Sequence, residues 1–277
     1  NCLHNFGDGY KSVKNELIID IYLTDDGSTD GTSAVLKELF PTVYILKGNG
    51  NLFWAGGMRN SWREASKEKY SGYLLLNDDT NVWENIFKEI FRADDFSIEN
   101  YNMRGIYIGS TIDRIKNKRT YGGAILINRF FAIQKKLTPN GKIHQCDLGN
   151  AYIMFISCEV IDKIGFLAGN YIHGVADFDY TLTAKRSKLP VLLMANYCGE
   201  CEKDHPNAYQ SFCNMSLSQR VKYLYNPIGL GFKDQLNYMK RNFPLRFPFV
   251  YLAGWYKVLF PHTYLFLSNF RNYLGRL

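Results

Sequence analysis

Residues 18–32 read IIDIYLTDDGSTDGT, and their order decides the fold class. Ile18–Leu23 is a short apolar, β-branched run, which suits a strand. Asp25-Asp26-Gly27 and the polar residues behind it end that strand in a turn. Thr32–Phe40 then carries Val35, Leu36 and Leu39 at helical spacing. Outward from this unit the alternation continues. Thr42–Leu46 predicts a second strand, Met58–Lys69 a helix, and Tyr73–Leu76 a third strand stopped by Asn77-Asp78-Asp79-Thr80. Asn81–Arg92 predicts a helix with Val82, Ile86, Ile90 and Phe91 on one side. Later strands are expected at Ala124–Asn128, Ala151–Ile156 and Val191–Ala195, with a helix near Cys158–Ile164. Strands separated by helices imply an α/β fold with βαβ units, a parallel sheet, and ligands at the carboxyl ends of its strands.

With 277 residues, 46% of them hydrophobic and 21% charged, the chain can bury a core and is not a disordered polymer. It contains no apolar run of about 18 residues and no secretory signal at its start, and its six cysteines are too few for a disulfide scaffold of this length. A reduced, cytoplasmic protein is the expectation. The sequence opens on Asn1, and Asn1–Phe6 reads as the end of a helix, so native residues are expected to precede it.

The net charge of +7 is unevenly distributed. Residues 206–277 hold nine basic residues and one acid, Asp234, leaving 24 basic and 25 acidic residues in 1–205. Seventeen of the 43 aromatic residues also fall in that tail. The expected division is therefore a catalytic body over 1–205 and a helical, basic and aromatic extension over 206–277.

Two acidic clusters each follow an apolar strand: Asp25-Asp26 and Asp78-Asp79. In a parallel sheet both open at one edge, where their mutual repulsion calls for a compensating charge. Mg²⁺ or Mn²⁺ provides it, since both prefer oxygen ligands and bridge carboxylates to substrate phosphates. Either cluster alone would read as a simple turn; the pair favours a nucleotide-phosphate site. Asp177 and Asp179 open a further helical stretch, where an Asp is either a cap or a fixed general base.

The ordered series DDGSTDGT (25–32), NGNLFWAGGMRN (49–60), LLLNDDT (74–80), GNAYIMFISCEVIDKIGFL (149–167) and HGVADFDYTLTAKRSKLPV (173–191) resembles family 2 glycosyltransferases of the GT-A fold, particularly bacterial rhamnosyl- and galactofuranosyl-type polysaccharide enzymes. The resemblance covers roughly residues 15–205. It implies that Asp26 contacts the nucleotide base with Asp25 supporting its turn, that Asp78 faces the ribose, and that Asp79 is the metal ligand. It implies that Asp177 deprotonates the acceptor hydroxyl, with Asp179 as second candidate. The family usually shows Glu-Asp where this chain has Ala176-Asp177. His205 stands where such enzymes often complete metal coordination, and reads equally as a surface histidine. Trp54 is either a stacking platform for a sugar or a core residue, while Gly56, Gly57, Arg59 and Asn60 are expected near the donor sugar or diphosphate. Family members also begin with a strand and helix ahead of the one equivalent to Ile18–Leu23, of which only the helix end is expected here.

Cys198-x-x-Cys201 with His205 and Cys213 invites a zinc reading, but the spacing is irregular and no second CxxC exists. Cys2, Cys146 and Cys158 read as buried thiols. The tail is helical between Pro227, Pro244, Pro248 and Pro261, and it mixes Trp255, Tyr256, Tyr264 and Phe266 with Arg and Lys. That mixture suits an anionic membrane surface, or packing on the body or a second subunit. Nucleic acid is a poor partner for a chain with an acidic body and no nucleic-acid motif.

The sequence thus predicts a metal-dependent inverting glycosyltransferase. It would use a UDP-, dTDP- or GDP-sugar donor and a glycan or lipid-linked acceptor, peripheral at the cytoplasmic membrane face. Its rivals are a nucleotidyltransferase, which would need a basic triphosphate loop near the first strand, and a non-catalytic sugar- or nucleotide-binding module.

Overall fold

The structure is a computed structural model that describes residues 17–202 and 212–274. Its first unit is β1 (Tyr22–Asp25), α1 (Thr32–Leu39) and β2 (Tyr44–Lys47), with β1 and β2 parallel from Tyr22↔Tyr44 to Asp25↔Lys47. This is the expected βαβ unit, with each strand lying further along the chain than its apolar run suggested. Pairing, and not hydrophobicity, sets those limits.

α2 (Phe53–Ala65) begins five residues before the expected Met58 and takes in most of the glycine-bearing segment. β3 (Gly72–Leu76) follows, and Asn81–Val82 forms a short strand, β4, ahead of α3 (Ile86–Tyr101). The helix expected from Asn81 starts late because Asn81 and Val82 pair with Glu200 and Gly199. Then come β5 (Ile106–Asp113), β6 (Lys118–Arg119), β7 (Gly123–Asn128), β8 (Ile133–Lys136), β9 (His144–Gln145), β10 (Leu148–Gly149) and β11 (Ile153–Ser157). α4 (Cys158–Ile164), α5 (Ala176–Arg186) and β12 (Val191–Glu200) complete the body.

The central sheet runs β3-β11-β5-β12-β4, and β10-β7-β8 forms a separate antiparallel layer. The α/β class is as expected, but strand polarity is mixed: β11 is antiparallel to both β3 and β5, while β12 runs parallel to β5. A β-branched run marks a strand without marking its direction, which depends on a distant partner.

Alternation along the strands divides the core. Ile106, Ile108, Met154, Ile156, Val191 and Leu193 face α2, α4 and α5. Tyr107, Ile153, Leu192 and Met194 face the Ile86, Phe87, Ile90 and Ala93 stripe of α3.

The tail folds as α6 (Leu217–Tyr225), α7 (Phe232–Asn242), a 3₁₀ turn at Pro244–Arg246, α8 (Phe247–Leu259) and α9 (Pro261–Leu274). Phe212, Leu224, Phe232 and Val258 form its own cluster. Tyr238 and Phe243, however, belong to the main core beside α5. The expected boundary between 205 and 206 lies outside the described residues, and α7 is packed into the body. Among the described residues no helix is long and apolar enough to cross a membrane.

Candidate active site

The site is built around the two helix N-termini of α2 and α5 and the turn after β3. Asp25 closes its own turn: its carboxylate accepts the Ser28 N–H at 2.8 Å and the Ser33 hydroxyl. Those bonds, with Ser33 the larger influence, hold its carboxyl down at about 2. The Asp26 carboxylate caps α2. Oδ1 accepts from Gly50 N at 2.8 Å, and Oδ2 from Leu52 N at 2.7 Å and Phe53 N at 3.0 Å. Its negative charge thereby meets the positive end of the helix dipole. Gly48 is required here, because a Cβ would lie 2.4 Å from Asp26 Oδ1 and 2.8 Å from Asp26 Cα.

α2 reaches both other parts of the site. The Trp54 indole N–H donates to Asn77 Oδ1 at 2.7 Å, fixing the turn that carries Asp78 and Asp79. The Ala55 N–H donates to the Ile172 carbonyl at 3.1 Å, on the loop leading into α5. Trp54 is half-buried and packs against the main core. Gly56 and Gly57 lie inside the helix and not in a loop. Arg59 and Asn60, expected at the donor, are engaged with the protein: Arg59 donates to the Ala168 carbonyl at 3.0 Å, and Asn60 to Thr24 Oγ1 at 3.2 Å. Burial pushes the Arg59 guanidinium pKa down.

Asp78 and Asp79 are both exposed residues. Packing around the Asp79 carboxyl raises its pKa first, and the neighbouring Asp78 charge adds to that. Neither has an ion-pair partner among the described residues. Two adjacent acids with no compensating cation are a donor set that suits Mg²⁺ or Mn²⁺, which usually takes one or two carboxylates and completes its shell with water and substrate phosphate. No group of three metal-ligating side chains exists among the described residues, and His205 lies outside them. Cys198 and Cys201 are buried, and no zinc cluster forms around them among the described residues. Cys146 is a buried thiol, its pKa pushed up to about 12 by desolvation, and Cys158 is half-buried; Cys2 and Asn1–Phe6 lie outside the described residues.

Asp177 occupies the first turn of α5. Oδ1 accepts the Phe178 N–H at 2.8 Å, and Oδ2 the Ala151 N–H at 3.2 Å. Burial raises its pKa, against the lowering effect of these amides and the Asn150 side chain. Tyr152, next to Ala151, accepts the Asn77 N–H on its carbonyl at 3.4 Å. The 150–152 turn therefore joins Asp177 to the Asp78–Asp79 turn. Asp179 is elsewhere: it is 1% exposed, takes the Asn242 amide at 2.7 Å, and pairs with Arg241 at 3.3 Å. Its carboxylate belongs to the α5–α7 packing and not to the cleft.

Sequence reasoning missed two things. The Tyr121 and Tyr152 rings stack at 3.5 Å beside Asp79, and burial with the Tyr121 hydrogen bond raises the Tyr152 pKa. The run Tyr121-Gly122-Gly123 is a local sequence feature that could have marked this pair. Val175, just ahead of α5, has φ 55°, a backbone strain that no local motif announces in a β-branched residue.

The sequence profile described as "Glycosyl transferase family 2" matches residues 1–161. No curated protein matches the chain. Among solved structures, the mannosyltransferase PcManGT from Pyrobaculum calidifontis, in complex with GDP-Man and Mn²⁺, aligns at 10% identity with TM-score 0.51, over 97% of this chain and 70% of its own. GalNAc-T7, with UDP, GalNAc and Mn²⁺, aligns at 14% identity with TM-score 0.49, over 89% of this chain and 53% of its own.

Proposed function

This chain belongs to glycosyl transferase family 2, and from that premise we propose that it transfers a sugar from a nucleotide-diphosphate sugar to an acceptor hydroxyl, with inversion and with Mn²⁺ or Mg²⁺. The observation that carries this reading is the 150–152 turn. It ties one carboxylate with a raised pKa, Asp177, to the paired carboxylates Asp78 and Asp79.

In this reading Asp25, Asp26 and Asp78 line the nucleoside end, and Asp26 fixes the α2 N-terminus whose amides it accepts. Arg59 and Asn60 brace that wall from behind, Gly56 and Gly57 keep the helix slim beside it, and Trp54 sets the distance between the donor wall and the Asp78–Asp79 turn. Asp79, with Asp78 beside it, would hold the divalent ion, which would supply positive charge to offset that of the diphosphate leaving group. Asp177 accepts the proton of the acceptor hydroxyl as that oxygen attacks the anomeric carbon. A single base suffices for inversion, because the acceptor approaches from the face opposite the leaving group. Asp179 is set aside by its partners Arg241 and Asn242.

The donor classes to be tested are UDP-, dTDP- and GDP-sugars, and the acceptor a glycan or lipid-linked glycan of a surface polysaccharide. Action at a membrane surface, on the cytoplasmic side, is part of the same reading, and the exposed apolar side chains of the tail favour contact with such a surface. Leu245, Phe249, Leu252 and Phe266 are each at least 65% exposed, and an apolar cleft of about 660 Å³ lies between α8 and α9, lined by Trp255, Tyr256 and Tyr264 among others. Exposed apolar side chains on a stretch that carries Lys257 and is flanked by Arg246 and Arg271 suit the headgroup zone of an anionic bilayer.

A thermal-shift panel of the three donor classes with Mn²⁺ tests the donor reading. One class should raise the melting temperature, and more so with metal than without, since a ligand stabilises the state that binds it. No shift with any donor, with or without metal, argues against it.

A further inference from the structure

Resting on the reading above, we propose that Asp234 is a positioning residue. From α7, in the C-terminal part of the chain, its carboxylate clamps the backbone of residues 172–174 and thereby sets the start of the helix that carries Asp177.

Asp234 is the one acid in residues 206–277 and is 3% exposed. Its Oδ2 accepts three consecutive backbone amides: Ile172 N at 3.0 Å, His173 N at 2.8 Å and Gly174 N at 3.1 Å; Oδ1 shares Ile172 N at 3.2 Å. Three successive N–H groups converging on one anion form a nest, a backbone concavity that binds negative charge. No lysine or arginine is ion-paired to this carboxylate among the described residues. The Arg59 guanidinium of α2 lies within its electrostatic reach. A buried carboxylate that satisfies backbone, and not a basic partner, acts on the conformation of that backbone.

The clamped segment has consequences on both sides. Upstream, the Ile172 carbonyl accepts the Ala55 N–H of α2, so the same residue bridges Asp234 to the donor wall. Downstream, Gly174 leads into Val175 at φ 55°, and two residues later comes Asp177. A valine stays in the left-handed region only when its surroundings hold it there. The three bonds to Asp234 do so on the N-terminal side, and the Asp179 N–H to Val175 carbonyl bond at 3.0 Å does so on the other. Without the clamp, Val175 is free to relax into an ordinary conformation, and the α5 N-terminus turns away from Ala151. Nothing local in HGVADFD announces this, because the clamp lies 57 residues beyond Asp177 in the chain.

The test uses the full chain with Asp234→Asn. Asn keeps the shape but presents an amide where three N–H groups need acceptors. Asn237→Ala is the control, since Asn237 sits on the same helix and bonds the Asn170 carbonyl of the same loop at 2.9 Å. Two readouts are needed: amide hydrogen exchange across residues 170–178, and the kcat and KM for turnover of the preferred nucleotide-sugar with Mn²⁺. Asp234→Asn is expected to speed exchange at residues 172–174 and to lower kcat by roughly 10-fold to 100-fold with little change in donor KM, as misplacement of a reacting group does. Asn237→Ala should leave kcat near wild type. An unchanged kcat in Asp234→Asn, or an equal loss in both variants, overturns the proposal. If Asp234→Asn does not fold, wild-type exchange decides: slow exchange at residues 172–174 supports the clamp, and fast exchange rejects it. A wild type that turns over no donor refutes the glycosyltransferase reading instead, and the exchange data still judge the clamp.

Discussion

The Asp177 carboxylate has to be ionised to take a proton, yet burial favours its neutral form. The acidic limb of the kcat/KM profile should therefore fall above the usual carboxylate range, because activity waits for a raised pKa to be passed. The same shift fixes the sign of its effect on stability. A carboxyl with a folded pKa above its unfolded one contributes stability below the unfolded pKa and loses it as pH rises through the folded value. Asp177→Asn should therefore lower turnover by about 10²-fold or more, as loss of a general base does, and leave the melting temperature at pH 8 equal to or above wild type. A pH–rate profile and a thermal melt check the two halves separately. Asp25 carries the opposite sign: held at about 2 by Ser33 and Ser28, its contribution is present above the unfolded pKa and is lost as pH falls toward that value. At this scale the place of Asp25, Asp78 and Asp79 at the ends of strands was legible, since an apolar run stopped by Asp marks a strand's end and its turn. Asp179 was not separable from Asp177 by spacing, because what distinguishes them is Arg241 and Asn242 from a distant helix.

α2 is where sequence and structure part most instructively. Gly56-Gly57 and the Asn49-Gly50 pair before it favour a loop, and the residues from Phe53 onward nevertheless form helix, because Asp26 supplies the cap and the core takes Ala55 and Trp62. Gly57 offers a test of what the helix faces. A Cβ there would make ordinary contacts of 3.9 Å with Thr24. Gly57→Ala should thus stabilise the protein by up to roughly 1 kcal/mol through helix propensity, seen in denaturant unfolding. If donor affinity falls in the same variant, the donor passes close to this face. Trp54→Phe should cost about 1 kcal/mol by losing the bond to Asn77 and should weaken metal-dependent donor binding more than metal-free binding, read by calorimetry with and without Mn²⁺. Among the remaining elements, Cys158–Ile164 and the strand near Ala124–Asn128 were readable because their patterning is local. The reversed direction of β11 and the helical start at Phe53 were not, because each depends on a partner far along the chain.

Over the whole molecule, the division into a near-neutral body and a basic tail holds in charge but not in packing. Tyr238 and Phe243 complete the main core, and Asp234 holds the loop before α5. A chain cut at 205 should therefore lose cooperative unfolding, measured by thermal melt, and not behave as an intact catalytic body. The exposed apolar side chains of α8 carry the proposed membrane contact. Full-length protein should co-sediment with anionic vesicles in a salt-sensitive manner, and the paired change Phe249→Glu and Leu252→Glu should abolish this while leaving the fold intact; equal partitioning would refute the membrane assignment. The central claim, that Asp78–Asp79 and Asp177 act together on a nucleotide-sugar, is tested most directly by donor turnover in wild type, Asp79→Ala and Asp177→Asn, each with Mn²⁺ and with a chelator. The account predicts metal-dependent turnover in wild type, lost with donor binding in Asp79→Ala and lost with donor binding retained in Asp177→Asn. Turnover that survives both substitutions, or is indifferent to the chelator, would contradict it.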